Sequence, residues 1–202
     1  MIEISTYIGR KDLNSYEETK ESVDAFFIPV TSEEALDVIN SISSRNMDRY
    51  LYGAIIIEVD QRKLTTFSDW DDLDLLWTGL LTMVLEYMQN GEYGATQLSM
   101  NGSEWSIKKV RAKPKNLILF HSRRPNAFLD EKSNTSDPIE NRATLGEMEF
   151  LRKVVSSAGD FLSLREKDTR TQKLVSFKGM YMELKQLVSE KLTCSKHFLR
   201  GD

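Results

Sequence analysis

The sequence predicts an α+β fold in which a mainly antiparallel sheet packs against a long central helix and is followed by C-terminal helices. Asn101-Gly102 lies between two runs of strand-forming residues, and Asn-Gly in that setting is the strongest short-range signal of a β-hairpin. Strand-like and helix-like segments do not alternate regularly, which argues against a parallel βαβ sheet. With 202 residues and 40% hydrophobic side chains, the chain can build an ordinary globular core.

Several segments of the N-terminal half have the residue pattern of strands. Residues 1–8 alternate apolar and polar side chains, which is typical of a strand with one buried face. Residues 25–30 form a short apolar run, but Pro29 restricts it to an edge strand. The β-branched run 53–59 predicts a central strand, from which residues 63–67 are expected to return as a hairpin arm.

Two helices are predicted in the same half of the chain. The first covers residues 32–44, because Thr31 and Glu34 have the spacing of a capping box just before an apolar periodic run. The second and longest covers residues 69–89, where apolar side chains recur every three or four positions over a stripe wide enough for burial on two sides. Gly91 is expected to cap its C-terminus.

The second half begins with a predicted three-stranded antiparallel meander over residues 93–121. The composition then changes to proline and small polar residues, which predicts a long loop. Thr144 and Glu147 again have capping-box spacing and precede the first of two amphipathic helices. The predicted organisation is an α+β domain over 1–122, a loop or linker over 123–144, and a C-terminal helical layer or subdomain over 145–202.

Charge is distributed unevenly along the chain. The formal net charge is −4, but residues 1–90 carry 17 acidic and 7 basic side chains, a net charge of −10. Residues 91–144 and residues 145–202 each carry a net charge of +3. An N-terminal part at −10 repels nucleic acid and attracts basic partners, unless its carboxylates form only a solvated face that aids solubility.

Side chains that carry chemistry are scarce. Cys194 is the only cysteine, and His121 and His197 are the only histidines. These counts exclude an internal disulfide and a cysteine-rich zinc site, and they leave little for acid–base catalysis. The motifs of phosphate-binding loops, zinc proteases, serine hydrolases and EF-hands are absent. We therefore assign no catalytic, metal-binding or cofactor-binding residue from the sequence.

One enzymatic alternative stays open at the end of the predicted central strand. Glu58, Asp60 and Lys63 lie close together there in the sequence. Two carboxylates and a lysine can hold magnesium and a water molecule, as in a magnesium-dependent hydrolase or nuclease.

The most distinctive local feature is a run of aspartates around one tryptophan. Its members are Asp69, Trp70, Asp71, Asp72 and Asp74, at the predicted start of the long helix. Carboxylates in a first helical turn stabilise the positive end of the helix dipole, so helix capping is one interpretation. The other is a partner-binding acidic rim with an aromatic anchor, because tryptophan is enriched at interface hot spots.

The stretch from Gly53 to Val110 resembles a recurring pattern in small, mostly uncharacterised bacterial proteins. A strand that ends in a turn, Ile55-Ile-Ile-Glu-Val-Asp60, is followed by Trp70-Asp-Asp-Leu73 at a helix start, a long apolar helix and antiparallel strands. Some proteins with this pattern are similar to the immunity proteins encoded beside secreted polymorphic toxins. The resemblance implies a toxin domain as the partner, neutralised by binding.

These observations predict a non-catalytic protein that binds a basic protein partner, and the resemblance makes an immunity protein the specific hypothesis. No signal peptide or membrane span is visible, because no apolar run approaches the ~20 residues that a span needs, so a cytoplasmic protein without membrane or nucleic-acid partners is expected. Besides the magnesium-dependent hydrolase, a second alternative stays open: a structural protein that self-associates through helix 70–88.

Overall fold

The computed structural model describes residues 1–10, 26–44, 50–99, 102–110, 116–125, 138–168 and 174–198. In these residues the chain forms two antiparallel sheets and four helices, which confirms the predicted α+β class. The strands are β1 Ile2–Gly9, β2 Phe27–Pro29, β3 Tyr52–Val59, β4 Arg62–Lys63, β5 Asp71–Asp72, β6 Tyr93–Gln97, β7 Glu104–Val110, β8 Leu117–Arg124 and β9 Ile139–Gly146. The helices are α1 Ala35–Ser44, α2 Leu73–Asn90, α3 Glu147–Arg165 and α4 Leu174–Phe198.

The strands divide between an N-terminal and a C-terminal sheet. The N-terminal sheet has the order β2-β1-β3-β4, and β5 also pairs with β3. The C-terminal sheet is a four-stranded meander with the order β6-β7-β8-β9. Along β1 the even-numbered residues face the core, so Ile2, Ile4 and Ile8 are buried while Glu3 is exposed. The period-2 pattern of the sequence therefore predicted the correct buried face.

Helix α2 lies at the centre of the molecule. It contacts both sheets and helix α4, which explains why its apolar stripe is too wide for a helix buried on one side only. Leu80 and Trp77 are fully buried, and Trp77 stacks near Phe161 of α3 with ring centroids 6.1 Å apart. Gly91 ends the helix in the left-handed conformation at φ 75°, as predicted.

The C-terminal helices pack on the rest of the fold. Helix α3 lies along β1, and α4 packs on α2 and α3, so that one hydrophobic cluster spans both sheets and these helices. The buried Glu147 links three helices, because its carboxylate accepts hydrogen bonds from the Tyr87 hydroxyl on α2 and from Lys191 Nζ on α4, the latter at 2.7 Å. Burial raises the pKa of Glu147, but these two hydrogen bonds together with the positive charges of Lys191 and Lys109 outweigh burial and hold the pKa below its usual value.

The predicted loop over residues 123–144 is wrong at both ends. Arg123 and Arg124 complete β8, and residues 139–146 form β9, which pairs with β8 along its whole length. The polar composition that suggested a loop is that of an edge strand with one face in solvent. Residues 126–137 lie outside the described residues.

Both predicted capping boxes are replaced by other arrangements. Thr144 belongs to β9, and α3 begins directly after Gly146 without a side-chain cap. At α1, Ser32 rather than Thr31 accepts the hydrogen bond, from the Glu34 N–H at 3.2 Å, and the helix begins at Ala35. In the hairpin between β6 and β7, Gly102 has the expected positive φ of 68°, whereas Asn101 lies outside the described residues.

Candidate protein-binding site

The aspartate-rich segment predicted to bind a partner folds as two successive caps. Residues Phe67–Asp69 form a short 3-10 turn, which Thr66 caps by accepting the Ser68 N–H, while Asp69 Oδ2 accepts the Thr66 N–H at 2.7 Å. The chain then pairs briefly with β3 as β5 before α2 begins at Leu73. The long helix therefore starts later than the predicted residue 69.

Asp69 is buried and joins this turn to the C-terminal sheet. Its Oδ1 accepts a hydrogen bond from the Ser103 hydroxyl at 3.2 Å and lies 3.9 Å from Nη1 of Arg124. Burial raises the pKa of Asp69 in spite of these contacts, because the carboxylate has lost its hydration.

Asp71 and Asp72 are also inside the molecule, at 1% and 4% exposure. Asp71 accepts hydrogen bonds from the Ser99 hydroxyl at 3.1 and 3.2 Å and from the Asp72 N–H. Asp72 is the N-cap of α2 and accepts the Asp74 N–H at 3.2 Å. Burial raises the pKa of Asp72 to about 6, and the neighbouring carboxylates of Asp74 and Asp71 add to the shift.

Asp74 fixes the start of α2 to the end of α3. Its carboxylate makes a two-pronged contact with the Arg165 guanidinium, Oδ1 to Nε at 3.1 Å and Oδ2 to Nη2 at 2.8 Å. Arg165 also binds Asp168, which is 1% exposed. Arg165 thus pairs with two carboxylates in a region largely closed to water.

This geometry corrects the prediction that the aspartates contact a partner. Asp69, Asp71 and Asp72 are buried among groups of their own chain, and Asp74 is held by Arg165, so these carboxylates do not form a surface rim. The alternative prediction, that the aspartates cap the helix, is correct for Asp72, which is the N-cap of α2. The cations that balance Asp69 and Asp74 come from residues far along the chain, so local spacing could not reveal them.

Trp70 differs from its acidic neighbours because it lies half-buried on the outer face of the N-terminal sheet. Its ring meets Tyr52 edge-on at 5.6 Å, and Tyr50 stacks on Tyr52 at 6.0 Å while remaining 49% exposed. These three rings carry apolar area with polar tips, a combination enriched in interface hot spots.

A second ring cluster continues on the same face. Tyr7 lies opposite Ala54 in the β1–β3 pairing, which places it on the same side of the sheet as Tyr52. Phe67 covers this region, 5.0 Å from Tyr7 and 4.8 Å from the buried Phe27. We refer to the partly accessible rings as the aromatic face, which comprises Tyr7, Tyr50, Tyr52, Phe67 and Trp70.

A groove of about 330 Å³ borders the aromatic face at Tyr7. The edge of β1, the chain that follows β2, and α3 form its walls. Asp160 of α3 is its one acidic lining residue; it is exposed, and in the described part of the chain it makes no ion pair. The groove therefore brings Tyr7 together with an acidic residue that no cation of the described residues balances.

Of the aromatic face and the groove, sequence reasoning identified Trp70 and missed Tyr7, Tyr50, Tyr52, Phe67 and Asp160. Tyr7 and Tyr52 both lie on the outer face of the sheet. An aromatic residue at a polar position of an alternating strand is a signal that could have found Tyr7, whereas β3 does not alternate and gives no such signal for Tyr52. Asp160 carries no such signal, because it comes to the groove only through the packing of α3 along β1.

The residues of the hydrolase alternative lie in the β3–β4 hairpin. Glu58 is directly opposite Lys63 in this hairpin and opposite Glu3 on the other side. Asp60 lies in the turn and binds the N-terminal ammonium group at 2.5 Å. Among the residues that the structure describes, no three side chains of the metal-ligating types come together.

Self-association through helix 70–88 conflicts with the burial of that helix. Among the large hydrophobic side chains of α2, Leu75 is exposed, at 48%, whereas the apolar stripe lies between the sheets and α4. A second copy could not reach the stripe without unfolding the core. The side chains of Cys194 and His197 lie outside the described residues.

Comparison with protein-family models, curated proteins and solved structures found no match to this chain. Within the described residues, none of the helices has the length and apolar character needed to cross a membrane.

Proposed function

We propose that this chain is a non-catalytic protein-binding protein whose aromatic face and adjoining groove receive a basic surface of a protein partner. The observation that carries the proposal is the groove itself, which is lined by Tyr7 and by Asp160, whose carboxylate makes no ion pair with any residue that the structure describes. A lysine or arginine side chain satisfies both groups, because its charge pairs with a carboxylate and also stacks favourably on an aromatic ring.

The other rings of the aromatic face supply the apolar part of such an interface. Trp70, Tyr52 and Tyr50 form one contiguous cluster, of which Tyr50 is the most accessible. Interfaces usually derive most of their affinity from a few aromatic or arginine anchors in desolvated positions. Trp70 therefore remains part of the proposed binding site, whereas the aspartates around it are excluded from that site.

The acidic N-terminal part would act at longer range. Exposed carboxylates such as Glu3, Glu33 and Asp37 are free of the internal arginines that balance Asp69 and Asp74. Charge of this kind speeds the encounter with an oppositely charged partner more than it strengthens the final complex.

The resemblance to immunity proteins gives the proposal its specific form. In that form the partner is a basic toxin domain, the binding occurs in the cytoplasm, and occlusion of the toxin requires no chemistry from this chain. The reading frame next to this one in the native genome encodes the first partner to test.

The docking face can be tested with a defined probe, a short arginine-rich peptide titrated into isotope-labelled protein. We expect amide shifts to concentrate at Tyr7, Thr31 and Asp160, and Asp160→Lys to abolish them. Glu190→Lys is the matched control, because it reverses an exposed charge on α4 away from the groove. Shifts spread over all acidic surfaces, or equal binding by both variants, would contradict the proposed face.

The partner can be tested by co-expression. Wild-type protein should protect cells from the neighbouring gene product and co-purify with it, whereas Asp160→Lys and Trp70→Ala should fail although they fold. Protection that persists in both variants would show that the proposed face is wrong even if the binding function is right.

A further inference from the structure

The two sheets protect their edges to different degrees. In the N-terminal sheet the edge strands are short, three residues for β2 and two for β4. The part of β1 that β2 leaves free is covered by α3, where Glu149 accepts the Ile2 N–H at 2.9 Å and Ser157 donates to the Ile4 carbonyl at 2.7 Å. An unpaired strand edge can pair with strands of other chains. The short edge strands and the hydrogen bonds from α3 prevent such pairing in the N-terminal sheet.

In the C-terminal sheet one edge is closed and the other is open. Strand β6 packs against α2, and the Glu86 carboxylate of α2 accepts a hydrogen bond at 3.4 Å from the Ala95 N–H, which faces away from β7. Strand β9 forms the opposite edge and is eight residues long. In the described part of the chain no group hydrogen-bonds to its outer side. A straight open edge of this length is a template for pairing with another chain.

The alternation of hydrogen-bonded residues along β9 shows which backbone groups are free to pair with another strand. The Glu147 N–H donates to the Asn116 carbonyl at 3.1 Å, just beyond the Gly146–Leu117 pair. Because antiparallel pairs alternate between hydrogen-bonded and open positions, the odd-numbered residues of β9 bond to β8. The even-numbered residues Glu140, Arg142 and Thr144 therefore direct their N–H and C=O groups away from the sheet.

We propose that β9 pairs antiparallel with β9 of a second copy, about a twofold axis at Asn141, and joins two C-terminal sheets into one. In this register Glu140 of each copy lies opposite Arg142 of the other, and the two exchange backbone hydrogen bonds. Ile139, which is 36% exposed in the single chain, comes opposite Ala143. Pro138 comes opposite Thr144, where its missing N–H leaves a carbonyl that can still accept.

Charge selects this register over its neighbours. An axis at Glu140 would place the two copies of Glu140 face to face, and an axis at Arg142 would do the same to two arginines. Like charges directly opposite each other destabilise a pair of strands, whereas opposite charges stabilise it. Arg142 is 59% exposed, so its guanidinium can contact the second copy as well as its own Glu140. The twofold symmetry closes the assembly at a dimer.

The first test is the oligomeric state and the position of the axis. Sedimentation of the full chain should show a monomer–dimer equilibrium. In a Cys194→Ser background, Asn141→Cys should form an intermolecular disulfide on mild oxidation, because open antiparallel pairs bring Cα atoms to about 4.5 Å. Glu140→Cys is the matched control and should not crosslink, since its counterpart is two residues out of register. A monomer at all concentrations, or equal crosslinking of both cysteines, would overturn the proposal.

The second test is a charge swap. Glu140→Arg and Arg142→Glu alone should each weaken the dimer by about tenfold or more, because each places like charges opposite each other at two symmetric positions. The double variant should restore the wild-type dissociation constant to within about threefold. Circular dichroism verifies that all three variants fold. Single variants that dimerise like the wild type would overturn the register and with it the proposed interface.

Discussion

The segment 69–74 and the groove around Asp160 both present carboxylates, but in opposite settings. In the segment, arginines from β8 and α3 and the backbone N–H groups of two caps neutralise or hold the aspartates inside the molecule. In the groove, the exposed Asp160 has an aromatic neighbour and, among the described residues, no cation. The density of acidic residues in a sequence therefore indicates charge but not accessibility. A lone carboxylate without an internal partner is the better candidate for binding.

The largest loss of stability is expected when the buried ion pairs of the segment 69–74 are broken. Arg165→Ala should lower the free energy of unfolding by about 3–5 kcal/mol, because it removes the guanidinium that pairs with both the buried Asp168 and the largely buried Asp74. Urea unfolding followed by circular dichroism measures the loss. Lys178→Ala is the matched control, since it breaks an exposed pair with Glu166 and should cost at most about 1 kcal/mol. Equal losses in the two variants would show that the Arg165 network is not internal.

The second prediction concerns pH. The pKa of Asp72 is raised from 3.8 in the unfolded chain to about 6 in the folded protein, so the folded state binds more protons and stability falls as pH rises through this window. Asp72→Asn removes this dependence and keeps a good N-cap. The variant should be more stable than the wild type by about 2–3 kcal/mol above pH 7, at 1.36 kcal/mol per pKa unit, and the gain should shrink toward pH 4.

Thermal unfolding of both proteins between pH 4 and pH 8 measures this gain. Parallel stability curves for the wild type and Asp72→Asn would mean that Asp72 titrates alike in the folded and unfolded chain, contrary to its burial.

The sequence predicts those parts of the structure that depend on neighbouring residues, and it fails for those that depend on contacts between distant residues. The strand β1 and the helix α2 are predicted correctly, because side-chain periodicity and the Gly91 cap are properties of neighbouring residues. The division into two sheets is not predicted, because strand pairing over long sequence distances has no local signal. Strand β9 is not predicted either, because it becomes a strand through its pairing with β8. Its own sequence has few apolar residues and resembles a loop.

The candidate site shows the same limit. Trp70 was identified from the sequence and lies at the surface, but the fate of the aspartates beside it depends on Arg124 and Arg165, and Asp74 is 91 residues from Arg165. The groove is less predictable still, because Tyr7 and Asp160 meet only when α3 packs along β1. Pairings of this kind have no short-range signature.

The smallest expected effect on stability is at the groove. Asp160→Asn should change the free energy of unfolding by less than about 0.5 kcal/mol, because the side chain is exposed and makes no ion pair within the described residues. Chemical unfolding beside the wild type checks this expectation. A large loss would mean that Asp160 has a structural role and would weaken its assignment to binding.

Binding of a basic partner is expected to depend on the carboxylate in the groove and not on those in the segment 69–74. Asp160→Asn and Asp71→Asn each remove one formal charge. Calorimetry with the same arginine-rich peptide therefore distinguishes an effect of the position of the carboxylate from an effect of the protein's net charge. We predict that Asp160→Asn weakens binding by about fivefold, as expected for the loss of roughly 1 kcal/mol, while Asp71→Asn changes it by less than about twofold. Equal weakening by the two variants, or a larger effect of Asp71→Asn in a folded protein, would show that the Asp160 carboxylate is not the binding group.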